Sequence, residues 1–133
     1  MEIEHMRSLF LLTAVALAGC AANDGPARQE ALAAVPGKAV GEPVTCIQLR
    51  DVDRVEAVND YVAFFHMRGS RMYRMDFPQS CRGLKNDAFR HSTSIAQYCR
   101  GDIITTFDTT TKMTTGSCGL SSFTPWELPP KGE

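Results

Sequence analysis

The chain reads as a mainly β protein: a small, disulfide-stapled antiparallel sandwich or open barrel of about five strands, with at most one or two short helices. Three observations predict this class. From Val44 onward, apolar residues come in short runs broken by turn residues and not at helical spacing. Two of those runs flank Arg68-Gly69-Ser70-Arg71, a short Gly-containing connection of the kind that closes a β-hairpin. Four cysteines, Cys46, Cys81, Cys99 and Cys118, are spread through the same region, an even number suited to two bridges.

Taken in order, Ile47, Leu49, Val52, Val55 and Val58 lie among polar neighbours and predict extended chain with a bend at Asp51 or Asp53. Residues 61–67 and 72–77 are the hairpin arms. With Gly69-Ser70 as a two-residue loop, Arg68 faces Arg71, His66 faces Tyr73, Phe64 faces Met75 and Val62 faces Phe77. One face would then carry Val62, Phe64, Tyr73, Met75 and Phe77. Residues 82–100 have no clear period and are expected to form a long loop with a short helix near Ser94-Ile95-Ala96-Gln97-Tyr98. Residues 102–107 are rich in β-branched side chains, and residues 112–123 form a weaker strand region after Thr109-Thr110-Thr111. The folded β domain is accordingly set at 44–128, with 129–133 a disordered tail opened by Pro129-Pro130.

The N-terminus carries a different signal. Met6-Arg7-Ser8, the apolar run 9–17 and the small pair Ala18-Gly19 make the tripartite secretory pattern. The run is shorter than the roughly 20 residues that span a bilayer. Glu2 and Glu4 would put negative charge where such leaders are positive, so Met6 is the expected start. Leu17-Ala18-Gly19-Cys20 resembles the lipobox of bacterial lipoproteins, and that resemblance implies a thioether-linked lipid on Cys20, cleavage before it and acylation of the new amino terminus. The alternative is an ordinary signal peptide. Residues 1–19 are thus read as a lipoprotein signal peptide and residues 20–43, rich in Ala, Gly and Pro, as a lipidated flexible tether. Glu30-Ala31-Leu32-Ala33-Ala34 is a good local helix former that Pro36-Gly37 stops. Ala21, where aspartate would by resemblance favour inner-membrane retention, points to the outer membrane, periplasmic face; the inner membrane or a secreted periplasmic form are the alternatives.

In an exported protein the four remaining thiols are expected to be oxidised. They allow three connectivities. The pairing preferred here is Cys81 with Cys99, closing the irregular loop, and Cys46 with Cys118, joining first strand to last. No C-x-x-C occurs and no His lies at metal spacing from a Cys, so neither a metal site nor any cofactor is expected.

Formal net charge is −1, and the leader holds Glu2, Glu4 and Arg7, so the remainder is neutral. Global charge therefore gives no reason to expect a nucleic acid partner. The one asymmetry is the run Arg68, Arg71, Arg74, Arg82, Lys85 and Arg90, set against Asp76 and Asp87. It is either internally compensated or a surface for an anionic lipid, a glycan or an envelope protein. His91-Ser92 invites a base and nucleophile reading, but adjacent residues on extended chain point to opposite faces. Gly116-Ser117-Cys118-Gly119 lacks the spacing of a nucleophile elbow, and the Thr-rich run 105–115 is accounted for by β propensity. No catalytic residue is assigned.

Cys46-Ile47, Met67-Arg68-Gly69 with Tyr73-Arg74, Cys81-Arg82-Gly83-Leu84, Cys99 ahead of Asp102-Ile103-Ile104, and Ser117-Cys118-Gly119-Leu120 with Phe123 and Pro125 are together informative. Over residues 45–126 they resemble a family of small four-cysteine proteobacterial lipoproteins or secreted proteins, a domain of unknown function. Arg82 replaces the proline of that family's Cys-Pro-Gly-Leu turn. The resemblance implies the bridges and the compartment and supplies no activity. The expectation is a lipid-anchored, non-enzymatic structural or binding component of the envelope, touching the membrane through Cys20. The alternatives are a small ligand-binding or inhibitor module presenting the Arg68 to Arg71 hairpin and, less favoured, a periplasmic enzyme.

Overall fold

The computed structural model describes residues 25–132, so the leader, the lipobox-like segment and the lipidation expected at Cys20 lie outside the described residues. The described chain is mainly β, antiparallel throughout, and carries two disulfides. Among the described residues ten short strands build three sheets where about five strands are expected, because the segments expected as tether and long loop supply strands of their own.

The central unit is a meander. Strands β3 (Val52–Asn59), β4 (Val62–Met67) and β5 (Met72–Asp76) pair in sequence order, β10 (Phe123–Glu127) returns beside β5, and β1 (Lys38–Ala39) closes the far edge against β10. A three-stranded sheet of β6 (Ala88–His91), β8 (Ile103–Phe107) and β9 (Thr114–Gly119) faces it, with a ribbon of β2 (Cys46–Gln48) and β7 (Gln97–Cys99). Between these layers Phe65, Met75, Phe77 and Phe123 pack with Ile47, Ile104 and Leu120 in one core cluster. This is the arrangement of a sandwich, with each sheet giving alternate side chains to the space between.

The first correction is at residues 25–43. Helix α1 (Gly25–Ala33) and the turn after it lie on the outer face of the large sheet, where Val35 is buried with Tyr61, Val62 and Phe64, and Ala31, Leu32 and Trp126 pack against them. Side chains lock this docking: Arg28 Nε donates to the Phe77 carbonyl at 3.1 Å, Asn59 Nδ2 to that of Ala31 at 3.0 Å, and Trp126 Nε1 to that of Pro36 at 3.0 Å. The segment is too poor in large apolar residues to look like core by itself. It covers an apolar face that β4 supplies. With both faces covered, β4 is buried at every position except His66, which is why Val-Ala-Phe-Phe-His-Met shows no alternation.

The second correction is one of register. Met67 N–H donates to the Arg71 carbonyl, so the hairpin loop holds three residues, with Gly69 at φ 89° where a side chain would be strained. The pairs are Val62 with Asp76, Ala63 with Met75, Phe64 with Arg74, Phe65 with Tyr73 and His66 with Met72. A shift of one residue exchanges the faces of one arm. Tyr73, Met75 and Phe77 point inward beside Ala63, Phe65 and Met67, while Val62 and Phe64 lie under α1 with Arg74.

Two further expectations change. The short helix near residues 94–98 is absent, and β6 and β7 occupy the supposed loop. The disulfide pairing of Cys81 with Cys99 and of Cys46 with Cys118 is also replaced, because β2 pairs with β7 and sets Cys46 directly opposite Cys99. The bridges are Cys46–Cys99, with Cα atoms 4.1 Å apart, and Cys81–Cys118, at 5.6 Å. The early chain meets the last strand without a covalent link, through β1 on β10 and an isolated bridge of Val44 with Phe123.

Candidate functional site

An open groove of about 380 Å³ lies at the hairpin tip. It follows from the meander: the loop 68–70 projects past the sheet, and the end of β10 crosses beside it. Arg54 and Asp53 of β3, His66 of β4, Arg71 at the loop, and Trp126 and Glu127 of β10 line it. Its charges are mixed, two guanidinium groups against two carboxylates, set beside an indole.

His66 organises one wall. Its Nε2 lies 2.7 Å from Glu56 Oε2, and Arg54 Nη2 sits 3.4 and 3.5 Å from the two ring nitrogens, a guanidinium laid over the imidazole. The ring also meets Phe64 edge-on, with centroids 6.3 Å apart. Strand pairing causes this grouping, since Arg54 stands opposite His66 in the ladder and Glu56 is its diagonal neighbour on the same face. The sequence contains the signal only once β3 and β4 are in register.

The six basic residues do not form one surface. Arg68 and Arg71 are exposed at the tip, Arg82 and Lys85 are exposed in the segment after β5, and Arg90 lies on the other sheet with its guanidinium 4.8 Å from the Phe107 ring centroid. Arg74 is buried and belongs to the fold. It holds Asp76 at 2.6 Å, donates to the Leu32 carbonyl at 3.0 Å and lies over the Trp126 ring at 4.6 Å. It therefore leaves the group of candidate surface cations.

A second polar cluster sits under the small sheet. His91, 3 % exposed at its side chain, places Nε2 2.9 Å from Asp102 Oδ2, and the same oxygen accepts the Cys99 N–H at 2.8 Å. The imidazole stacks against Tyr98 at 4.7 Å, and its buried Nδ1 has no partner among the described residues. Burial pushes the Tyr98 phenol above its ordinary value. Among the described residues no hydroxyl or thiol hydrogen-bonds His91, so Ser92 is not joined to it as a nucleophile. The carboxylate is committed to clamping β7 to the start of β8. Sequence reasoning missed Asp102 because only the pairing of β6 with β8 brings it to His91. Among the described residues no three His, Cys, Asp or Glu side chains gather as a metal site, and no helix is long and apolar enough to cross a membrane.

Compared with known proteins, the chain matches a family model over residues 4–128. No curated protein and no solved structure matches it.

Proposed function

The matching model describes a family of unknown function (DUF6491), to which the chain belongs, and from that premise we propose that it is a binding component of the cell envelope that works without catalysis. In this reading, lipid on Cys20 holds it at the periplasmic face of the outer membrane, and the hairpin-tip groove receives a protein partner. The lipobox-like Leu17-Ala18-Gly19-Cys20 supports the anchor.

The observation that carries the binding reading is the groove itself. A uniformly anionic bilayer or polysaccharide is best met by cations on one face, whereas here Arg54 and Arg71 alternate with Asp53 and Glu127 beside Trp126. Alternating charge next to an aromatic edge matches a protein surface carrying both signs, and Trp and Arg are the residue types that dominate such contacts. The open shape suits a partner side chain or loop better than an enclosed metabolite.

The test is photocrosslinking in cells with the full-length protein, placing a photoreactive residue at Ser70 and, in a second strain, at the exposed Lys112. We expect a discrete adduct from position 70, none from position 112, and loss of the first when Arg71→Glu is added. Equal labelling from both positions, or none from the tip, overturns the reading.

A further inference from the structure

The edge of the large sheet borders the groove through Asp53 and Arg54, and its outer backbone offers something further. Strand β3 runs eight residues, regular over 54–57 between register shifts at Val52/Arg54 and Ala57/Asn59, and among the described residues its backbone pairs only with β4. No backbone bond from residues 53–58 goes elsewhere among them. An unpaired edge is a template for another strand, here over its regular stretch 54–57, and charged residues decide which strand it accepts. β3 carries three, Asp53, Arg54 and Glu56, all exposed. Arg54 and Glu56 lie on one face of the sheet, since both reach the same His66 ring.

We propose that this edge pairs with β3 of a second copy of the chain, antiparallel about a two-fold axis through Val55, joining two five-stranded sheets into one. Charge selects both the occupant and the register. A two-fold axis normal to the sheet keeps the α1-bearing faces on one side and pairs residues of like parity. Centring it on Arg54 sets Arg54 against Arg54 of the other copy. Centring it on Glu56 opposes the two Glu56 carboxylates. Centring it on Val55 places Arg54 opposite Glu56 twice, once on each side of the axis, with Val55 against Val55 between them. Opposite charges directly across a ladder stabilise a strand pair, and like charges destabilise it. The strand is thus complementary to itself in this register and repelled in its two symmetric neighbours. Such a contact is isologous and closes at two copies. It needs no lipid, and although Asp53 and Arg54 also line the groove, the pairing rests on the outer backbone and charge order of β3.

Sedimentation equilibrium of the full chain in a density-matched detergent tests this, over protein concentrations spanning three decades. We expect a reversible dimer. Arg54→Glu alone and Glu56→Arg alone should each weaken it at least tenfold, and the double variant, which exchanges the two charges, should restore it to within about threefold. Circular dichroism and a non-reducing peptide map serve as folding controls. A measurement that needs no variant accompanies it: amide exchange of residues 53–57 in the unmodified chain should slow as protein concentration rises. A monomer throughout, a dimer indifferent to the single substitutions, or one that the double variant fails to restore overturns the proposal. Protection of β3 that appears only when other envelope proteins are added assigns the edge to a different partner and overturns it equally.

Discussion

Asp108 illustrates how a short polar side chain can shape a turn without being buried. Its Oδ1 accepts N–H bonds from Thr110 at 2.9 Å and Thr111 at 2.7 Å and a hydroxyl bond from Thr111 at 3.1 Å. These bonds, led by those from Thr111, hold its carboxyl below the usual aspartate value. Because the folded-state value lies below the unfolded one, the turn's contribution is complete above the ordinary carboxylate range. It is lost as pH falls through the depressed value. A carbon-detected carboxylate titration should find Asp108 low in the native chain and moved upward in Thr111→Ala, where the hydroxyl bond is gone. An unchanged midpoint would show that the hydroxyl does not contribute. At this scale the sequence was partly legible. Thr109-Thr110-Thr111 marks a connection by its composition, but the basic run 68–90 does not sort itself into surface and interior, because burial of Arg74 depends on α1 and Trp126 arriving from opposite ends of the chain.

The elements that escaped sequence reasoning are those whose apolar side is supplied by something else. Helix α1 has no buried residue within its own span, and its neighbour Val35 is the one that enters the core. Pattern reading finds a face by its own alternation, so α1 looked like linker and β4, covered twice, looked like an arm with an exposed side. The hairpin, by contrast, was legible in kind from Arg68-Gly69-Ser70-Arg71, and only its loop length and hence its register differed. Arg74 ties these elements together, and its loss should be felt at α1. In Arg74→Met the Leu32 carbonyl loses its donor and the Asp76 carboxylate its partner. Asp76 is about one-third exposed, so solvent recovers part of the loss. We expect about 2 kcal/mol of destabilisation in urea unfolding, with amide exchange accelerated most at residues 30–34. Uniform acceleration along the chain would mean that α1 is held by other contacts.

At the scale of the whole molecule, the class was legible because even cysteine count, short apolar runs and turn chemistry all pointed to a stapled β sandwich. Connectivity was not, since three pairings satisfy the same count and only the order of strands chooses among them. The two bridges are unequal in access. Cys81 and Cys118 are buried at 1 % and 8 % exposure, while Cys46 and Cys99 are half-buried at the ribbon. Thiol exchange requires approach of a thiolate to sulfur. Limited dithiol treatment under native conditions, followed by alkylation and mass mapping, should therefore label Cys46 and Cys99 well before Cys81 and Cys118. The reverse order would imply that the sandwich opens before the ribbon does.

The docking of α1 also changes what an anchor at Cys20 would do. Were residues 20–43 slack, the domain could roam up to about 80 Å from the bilayer, at roughly 3.4 Å per extended residue. With the helix starting at Gly25 and tied to the sheet through Arg28, only five peptide steps separate its first residue from Cys20, a reach of about 17 Å at most. A molecule so moored has little freedom to tumble. The lipid would fix which side looks toward the headgroups and which toward the periplasmic space, so attachment would choose an orientation as well as a compartment.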